Sequence, residues 1–201
     1  MGSDALRTTP ADSASTPCAG PGGYGLRHEA HAAVARFAED IAEILATETA
    51  ADVPGQVRAA LGPLLATPDL LAAAHRRPGE ATYRRHVLYA DPGHRFTVLA
   101  LVWQPGQGTS IHGHSAWGAV GVYEGQPNVC CYDCEHDEND GLVPALRSDD
   151  RFGPGATCAV QPGFDDVHRI YNGTDEPVIT IHAYGRDLVE DPESINLVIP
   201  A

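Results

Sequence analysis

No lysine occurs in the 201 residues: all 13 basic side chains are arginine, against 27 Asp and Glu, for a formal net charge of −14. A surface this acidic repels phosphate backbones and anionic lipid headgroups, so neither nucleic-acid binding nor membrane binding is expected. An anionic small molecule would need a local cationic anchor. Long apolar runs are also missing, none approaching the roughly 18 residues that span a bilayer. No apolar stretch follows a basic start, so no secretory signal is expected, and Leu6 stands where a myristoylation signal after Gly2 carries Ser or Thr. The expected location is cytoplasmic. Cysteines number five, an odd count that does not read as a secreted disulfide framework. With 43% hydrophobic residues the chain is long enough for one domain with a sizeable core. A monomer or small homo-oligomer is expected.

Residues 1–25 are rich in Ser, Thr, Pro, Gly and Ala and read as a disordered tail. Residues 26–201 read as the folded domain, with helices over about 28–77. From His28 to about Thr47 the apolar positions Val34, Phe37, Ile41, Ile44 and Leu45 step by three and four, as on one helix face. A second helical stretch carries Val57, Leu61, Leu64 and Leu65. A third is expected with Thr67 as N-cap and Pro68 at the first helical position, closing on Arg76-Arg77 before Pro78. These helices are expected to pack outside a sheet.

Beyond Pro78, short β-rich runs alternate with turn residues. They are Tyr83–Ala90, Phe96–Trp103, Thr109–His114, Gly118–Glu124, Asn128–Asp133, Ala156–Gln161, Val167–Tyr171 and Pro177–Tyr184. Many short strands at near-regular spacing point to an all-β sandwich or barrel. The acidic stretch Glu135–Asp140 reads as a solvated hairpin loop.

His112 and His114 lie two apart on a predicted strand, which puts both imidazoles on one face, about 7 Å apart along the chain. His168 comes from a later strand, just after Pro162-Gly163. Gly106-x5-His112-x-His114-x3-Gly118-x6-Gly125 resembles the first cupin motif, although Gly118 replaces the glutamate that many cupins use as a ligand. Gly155-x6-Pro162-Gly163-x4-His168-x3-Asn172 resembles the second. The resemblance implies an all-β fold with N-terminal helices: a cupin double-stranded β-helix, or jelly-roll barrel. It makes His112, His114 and His168 the candidate metal ligands. Imidazole ligation suits Fe, Zn, Cu or Ni, so ligand type alone does not choose among them. A metal with open positions that takes dioxygen points to iron.

Val178–Tyr184 alternates, placing Thr180, His182 and Tyr184 on one face and Ile179 and Ile181 on the other. If the polar face points inward, a hydroxyl, an imidazole and a phenol stand in a row beside the metal. At this point the chain resembles thiol dioxygenases of the cysteine dioxygenase type, over roughly Tyr83–Tyr184. The resemblance implies Fe(II) on the three histidines and a catalytic row of Thr180, His182 and Tyr184, with Thr in place of the family's Ser. It also implies substrate contacts from Tyr83 and Arg85, the arginine clamping a carboxylate; Arg84 would point to the opposite face. The implied partners are a small thiol and O2.

Animal members carry, at the Gly118 position, a cysteine cross-linked to the active-site tyrosine. This chain cannot form that thioether there. Gly113 stands where Asp is frequent. Trp117-Gly118 is similar to 3-mercaptopropionate dioxygenases, whereas Arg85 is similar to cysteine-using members, so cysteine and 3-mercaptopropionate both stay open, cysteine first. Two other readings stay open: a non-iron cupin with isomerase or hydrolase activity, and a cupin that binds a small anion without turnover. Cys130-Cys131-x2-Cys134 with His136 could form a zinc site, but lacks a second spaced pair and reads rather as strand and loop cysteines. Cys158 reads as a core position.

Overall fold

In the computed structural model the described residues are 28–138 and 141–199. The expected tail over 1–25, with Cys18, lies outside them. Helix α1 runs over His28–Thr47 and α2 over Val53–Leu65. The stepped apolar positions do what their spacing predicts: Val34, Phe37 and Ile41 on α1 and Val57, Leu61 and Leu64 on α2 are buried in one shared cluster. Pro54 sits in the first turn of α2, where the missing N–H costs nothing.

The third helix does not form; only a 3-10 turn, Ala73–Arg76, occurs in that stretch. Asp69 adopts a φ of 51°, which a right-handed helix cannot continue through. The Thr67 hydroxyl donates back to the Pro63 carbonyl at 3.1 Å instead of capping forward. Leu70 and Leu71 are buried from this irregular path, and the Leu70 N–H donates to the Tyr123 hydroxyl. Tertiary burial of the two leucines overrides the local helix signal.

Ten strands follow: β1 Arg84–Ala90, β2 Thr97–Trp103, β3 His112–His114, β4 Gly118–Glu124, β5 Asn128–His136, β6 Leu142–Arg151, β7 Thr157–Val160, β8 Gly163–Tyr171, β9 Val178–Tyr184 and β10 Asn196–Val198. They form two five-stranded antiparallel sheets, ordered β1-β2-β9-β4-β7 and β10-β3-β8-β5-β6. The chain passes repeatedly between the sheets, as in a jelly roll.

Strands β6 and β10 were not expected. Strand β6 is an edge strand of mostly exposed, charged residues with Pro144 inside it, a composition tolerated only where one side lacks a partner. Its pairing carries β5 on to His136, into the stretch read as loop. Strand β3 is shorter than expected, and β8 begins earlier, at Gly163.

Strands β2 and β9 are buried at all seven positions. One face of each meets the helices: Val98, Ala100, Val102, Ile179, Ile181 and Ala183 join the α1–α2 cluster. The other faces inward, where Leu99, Leu101, Trp103, Val178 and Tyr184 pack with Ile170 and Ile195.

Cys130, Cys131 and Cys134 are free thiols on β5. Cys158 is exposed, not a core residue: β7 ends its sheet and leaves that side chain at an open edge. No helix among the described residues is long and apolar enough to cross a membrane.

Leu61 is fully buried between α2 and the sheet. Leu61→Ala should lower unfolding free energy by about 2–5 kcal/mol in chemical denaturation. An unchanged midpoint would mean that the helix layer contributes little to the fold.

Candidate metal centre and the polar row beside it

Strand β3 is three residues long, and its two histidines are paired in different ways. His112 is in register with His168 of β8, while His114 is in register with Gly163, so β8 bulges past Gly113. A Cβ at residue 113 would lie 2.2 Å from the Gly163 carbonyl oxygen. Only glycine lets the strands approach here, which accounts for the missing Asp.

This packing brings three imidazoles together. Ring centroids are 5.0 Å apart for His112–His114 and 4.8 Å for each to His168. One ligand nitrogen from each ring lies within 4.8 Å of the others, and all three residues are buried. Among the described residues no other group of His, Cys, Asp and Glu offers such an arrangement. The cysteines of β5 therefore fall to the strand reading.

The donor set fits a cation. Nδ1–H of His112 donates to the Ser110 carbonyl at 2.9 Å, which leaves Nε2 with its lone pair. Among the described residues neither ring nitrogen of His114 has a hydrogen-bond partner, although both are buried. An orphaned buried polar atom is costly, and a shared metal ion would relieve it. Burial pushes all three pKa values down: His112, further lowered by the Arg85 charge; His114, to about 3; and His168, well below its usual range. The imidazoles are thus neutral, the form that binds metal.

The polar face of β9 points into the same interior. Thr180, His182 and Tyr184 are all buried. Oγ1 of Thr180 lies 2.7 Å from Nε2 of His182, and Nδ1 of His182 lies 2.8 Å from the Tyr184 hydroxyl. The Tyr184 ring stacks on His114 with centroids 6.3 Å apart and a 23° interplanar angle. Burial holds His182 down to about 3 and pushes the Tyr184 phenol up, so the first stays neutral and the second keeps its proton.

Gly118 is in register with Tyr184 across β4 and β9. A Cβ there would come within 2.8 Å of Cδ1 and Cε1 of the ring. The glycine lets the phenol lie flat against the sheet.

Arg85 pairs with the inward-facing Leu101, whereas Arg84 pairs with Val102 on the helix side. The guanidinium donates to the Pro192 carbonyl at 2.6 Å and to the Tyr83 hydroxyl at 3.2 Å, with Glu193 at 3.6 Å. Its charge reaches His112, His182 and Tyr184, each of which it biases toward lower pKa. Tyr83 lies beneath it and packs against Trp103, centroids 4.2 Å apart and rings tilted by 31°.

Trp103 was not singled out in the sequence. Its indole N–H donates to Oγ1 of Thr180 at 2.9 Å and extends the row to four residues. The available signal was its position: it closes a run of six apolar strand residues, Val98–Trp103, on the parity of Leu99 and Leu101, with a polar tip that needs a partner.

No family model matches the chain. Solved structures of similar fold include cupin-type proteins. A protein with a double-stranded β-helix domain from Klebsiella pneumoniae aligns with a TM-score of 0.45 at 16% identity, over 64% of this chain and 93% of its own. A cupin 2 conserved barrel domain protein from Salinispora arenicola gives 0.40 at 20% identity, over 57% and 83%. A sugar phosphate isomerase of the cupin superfamily from Silicibacter pomeroyi gives 0.35 at 23% identity, over 46% and 51%.

Full-length protein should bind one transition-metal ion per chain, measured by elemental analysis after equilibration and desalting. His114→Ala and His168→Ala should each abolish retention. Full occupancy in either variant would remove that residue from the centre.

Proposed function

We propose that the chain is an iron-dependent thiol dioxygenase that converts a small carboxylate-bearing thiol, cysteine first, to its sulfinic acid. One observation carries the reading: three neutral imidazoles and a proton-bearing phenol share one buried interior, with a partly exposed arginine beside them. Held by His112, His114 and His168, a ferrous ion would supply the redox chemistry that joins dioxygen to sulfur, with no ligand carboxylate to offset its charge.

The chain's own groups then set position and proton. Arg85 pairs with the substrate carboxylate through its planar fork, which directs the thiol end toward the histidines. Holding the substrate at both ends converts an encounter into an oriented reaction. Tyr184, whose phenol stays protonated, donates a hydrogen bond into the interior at the end of its row. Leu99, Leu101, Ile170 and Ile195 keep the surrounding space apolar and limit water.

Trp117 packs with the helix-side cluster rather than in the interior. Arg85 clamps the carboxylate that cysteine and 3-mercaptopropionate share, and cysteine is placed first because an arginine at this position resembles the cysteine-using members. Metal analysis and an oxygen-electrode screen separate this function from a non-iron isomerase or hydrolase, and from a binding protein without turnover.

Tyr184→Phe should keep metal content and lower turnover by at least about tenfold, since general acid–base assistance typically contributes a hundredfold or more. Unchanged turnover would make the row structural. Arg85→Ala should cut kcat/KM for cysteine and 3-mercaptopropionate by roughly ten- to a hundredfold, the cost of a lost charge-assisted bond. Cysteamine, without a carboxylate, should be little affected. Equal losses for all three thiols would remove the clamp.

A further inference from the structure

We infer that Trp103 is a positioning residue: its indole N–H fixes which nitrogen of His182 carries the proton, and so turns the Tyr184 hydroxyl hydrogen out of the row. The effect on turnover rests on the dioxygenase reading above. The proton arrangement depends on this chain alone.

An indole N–H only donates. Buried at 1% exposure, Trp103 reaches Oγ1 of Thr180, so that oxygen is the acceptor in the bond. Thr180 is equally buried, and the remaining partner of its hydroxyl is Nε2 of His182. A hydroxyl that accepts from one side satisfies its own hydrogen by donating to the other. Nε2 is then a lone pair, and the single proton of the neutral ring sits on Nδ1. Nδ1–H donates to the Tyr184 oxygen. With that oxygen accepting, the phenol hydrogen is free to point into the interior shared with His114.

The reverse arrangement satisfies the last two bonds equally well. Nε2–H would donate to Thr180, and Nδ1 would accept from the Tyr184 hydroxyl. The phenol hydrogen would then be spent inside the row and could not be given to a substrate. Between these two states the indole decides, because in the reverse one Thr180 has two donors facing it and no acceptor for its own hydrogen. A chain of such bonds transmits the choice over three residues. Trp103 also packs against Tyr83, whose hydroxyl accepts from Arg85, so removing the whole ring would disturb the clamp as well. The informative change removes only the N–H: Trp103→Phe.

The test reads the tautomer by long-range 1H–15N correlation spectra of 15N-histidine-labelled, Zn(II)-loaded full-length protein. His182 is assigned by comparison with His182→Gln. Wild type should show the Nδ1–H form. Trp103→Phe should show a shift to the Nε2–H form or a mixture of both. In iron-loaded protein, Trp103→Phe should lower kcat by about tenfold, toward the Tyr184→Phe level, with KM changed less than about twofold because the aromatic face against Tyr83 remains. The Trp103→Phe/Tyr184→Phe double variant should be no slower than Tyr184→Phe alone. An Nε2–H wild type overturns the inference without any need for a variant. So does an unchanged tautomer in Trp103→Phe. A tautomer shift in a protein that turns over no thiol would leave the inference standing and remove the proposed activity instead.

Discussion

A strand buried on both faces cannot hold a hydroxyl, an imidazole and a phenol unless those groups satisfy one another. Strand β9 is such a strand: the helices cover Ile179, Ile181 and Ala183, and the second sheet closes over Thr180, His182 and Tyr184. With water excluded, each polar atom needs a partner within the row, and the 2.7–2.9 Å contacts from Trp103 to Tyr184 provide them. The helix layer therefore serves the site indirectly. It makes β9 central, and a central strand turns a polar alternation into a connected network.

The same desolvation governs the histidines. Removed from water, His112, His114 and His168 stay neutral, and both ring nitrogens of His114 lack a partner among the described residues. The interior thus holds a concentrated set of neutral donors, with Arg85 as a positive charge close by. In a chain of net charge −14, that arginine sets a positive charge beside the interior, with Glu193 3.6 Å away.

Much of this was legible in the sequence because it depends on period-two alternation. Parity alone places His112 with His114, Thr180 with Tyr184, and Arg85 opposite to Arg84, and the β3–β10, β2–β9 and β1–β2 registers agree. What escaped depends on partners far along the chain. Strand β6 is charged and contains Pro144, so only its pairing with β5 identifies it. The segment after Thr67 carries good helix signals but is pulled out of a helix by burial of Leu70 and Leu71. Cys158 read as a core position, yet it stands exposed on β7, the last strand of its sheet. Trp103 was hidden among apolar neighbours, since its role lies in one N–H aimed at a residue 77 positions away.

We propose that the interior adds both atoms of O2 to a thiol. The most direct test is turnover of cysteine by iron-loaded protein under 18O2, with the product identified by mass spectrometry. The expected product is a sulfinic acid carrying two 18O atoms, with oxygen consumed in equal amount to thiol. A disulfide as the sole product, a single labelled oxygen, or no oxygen uptake by protein with full iron occupancy would contradict it.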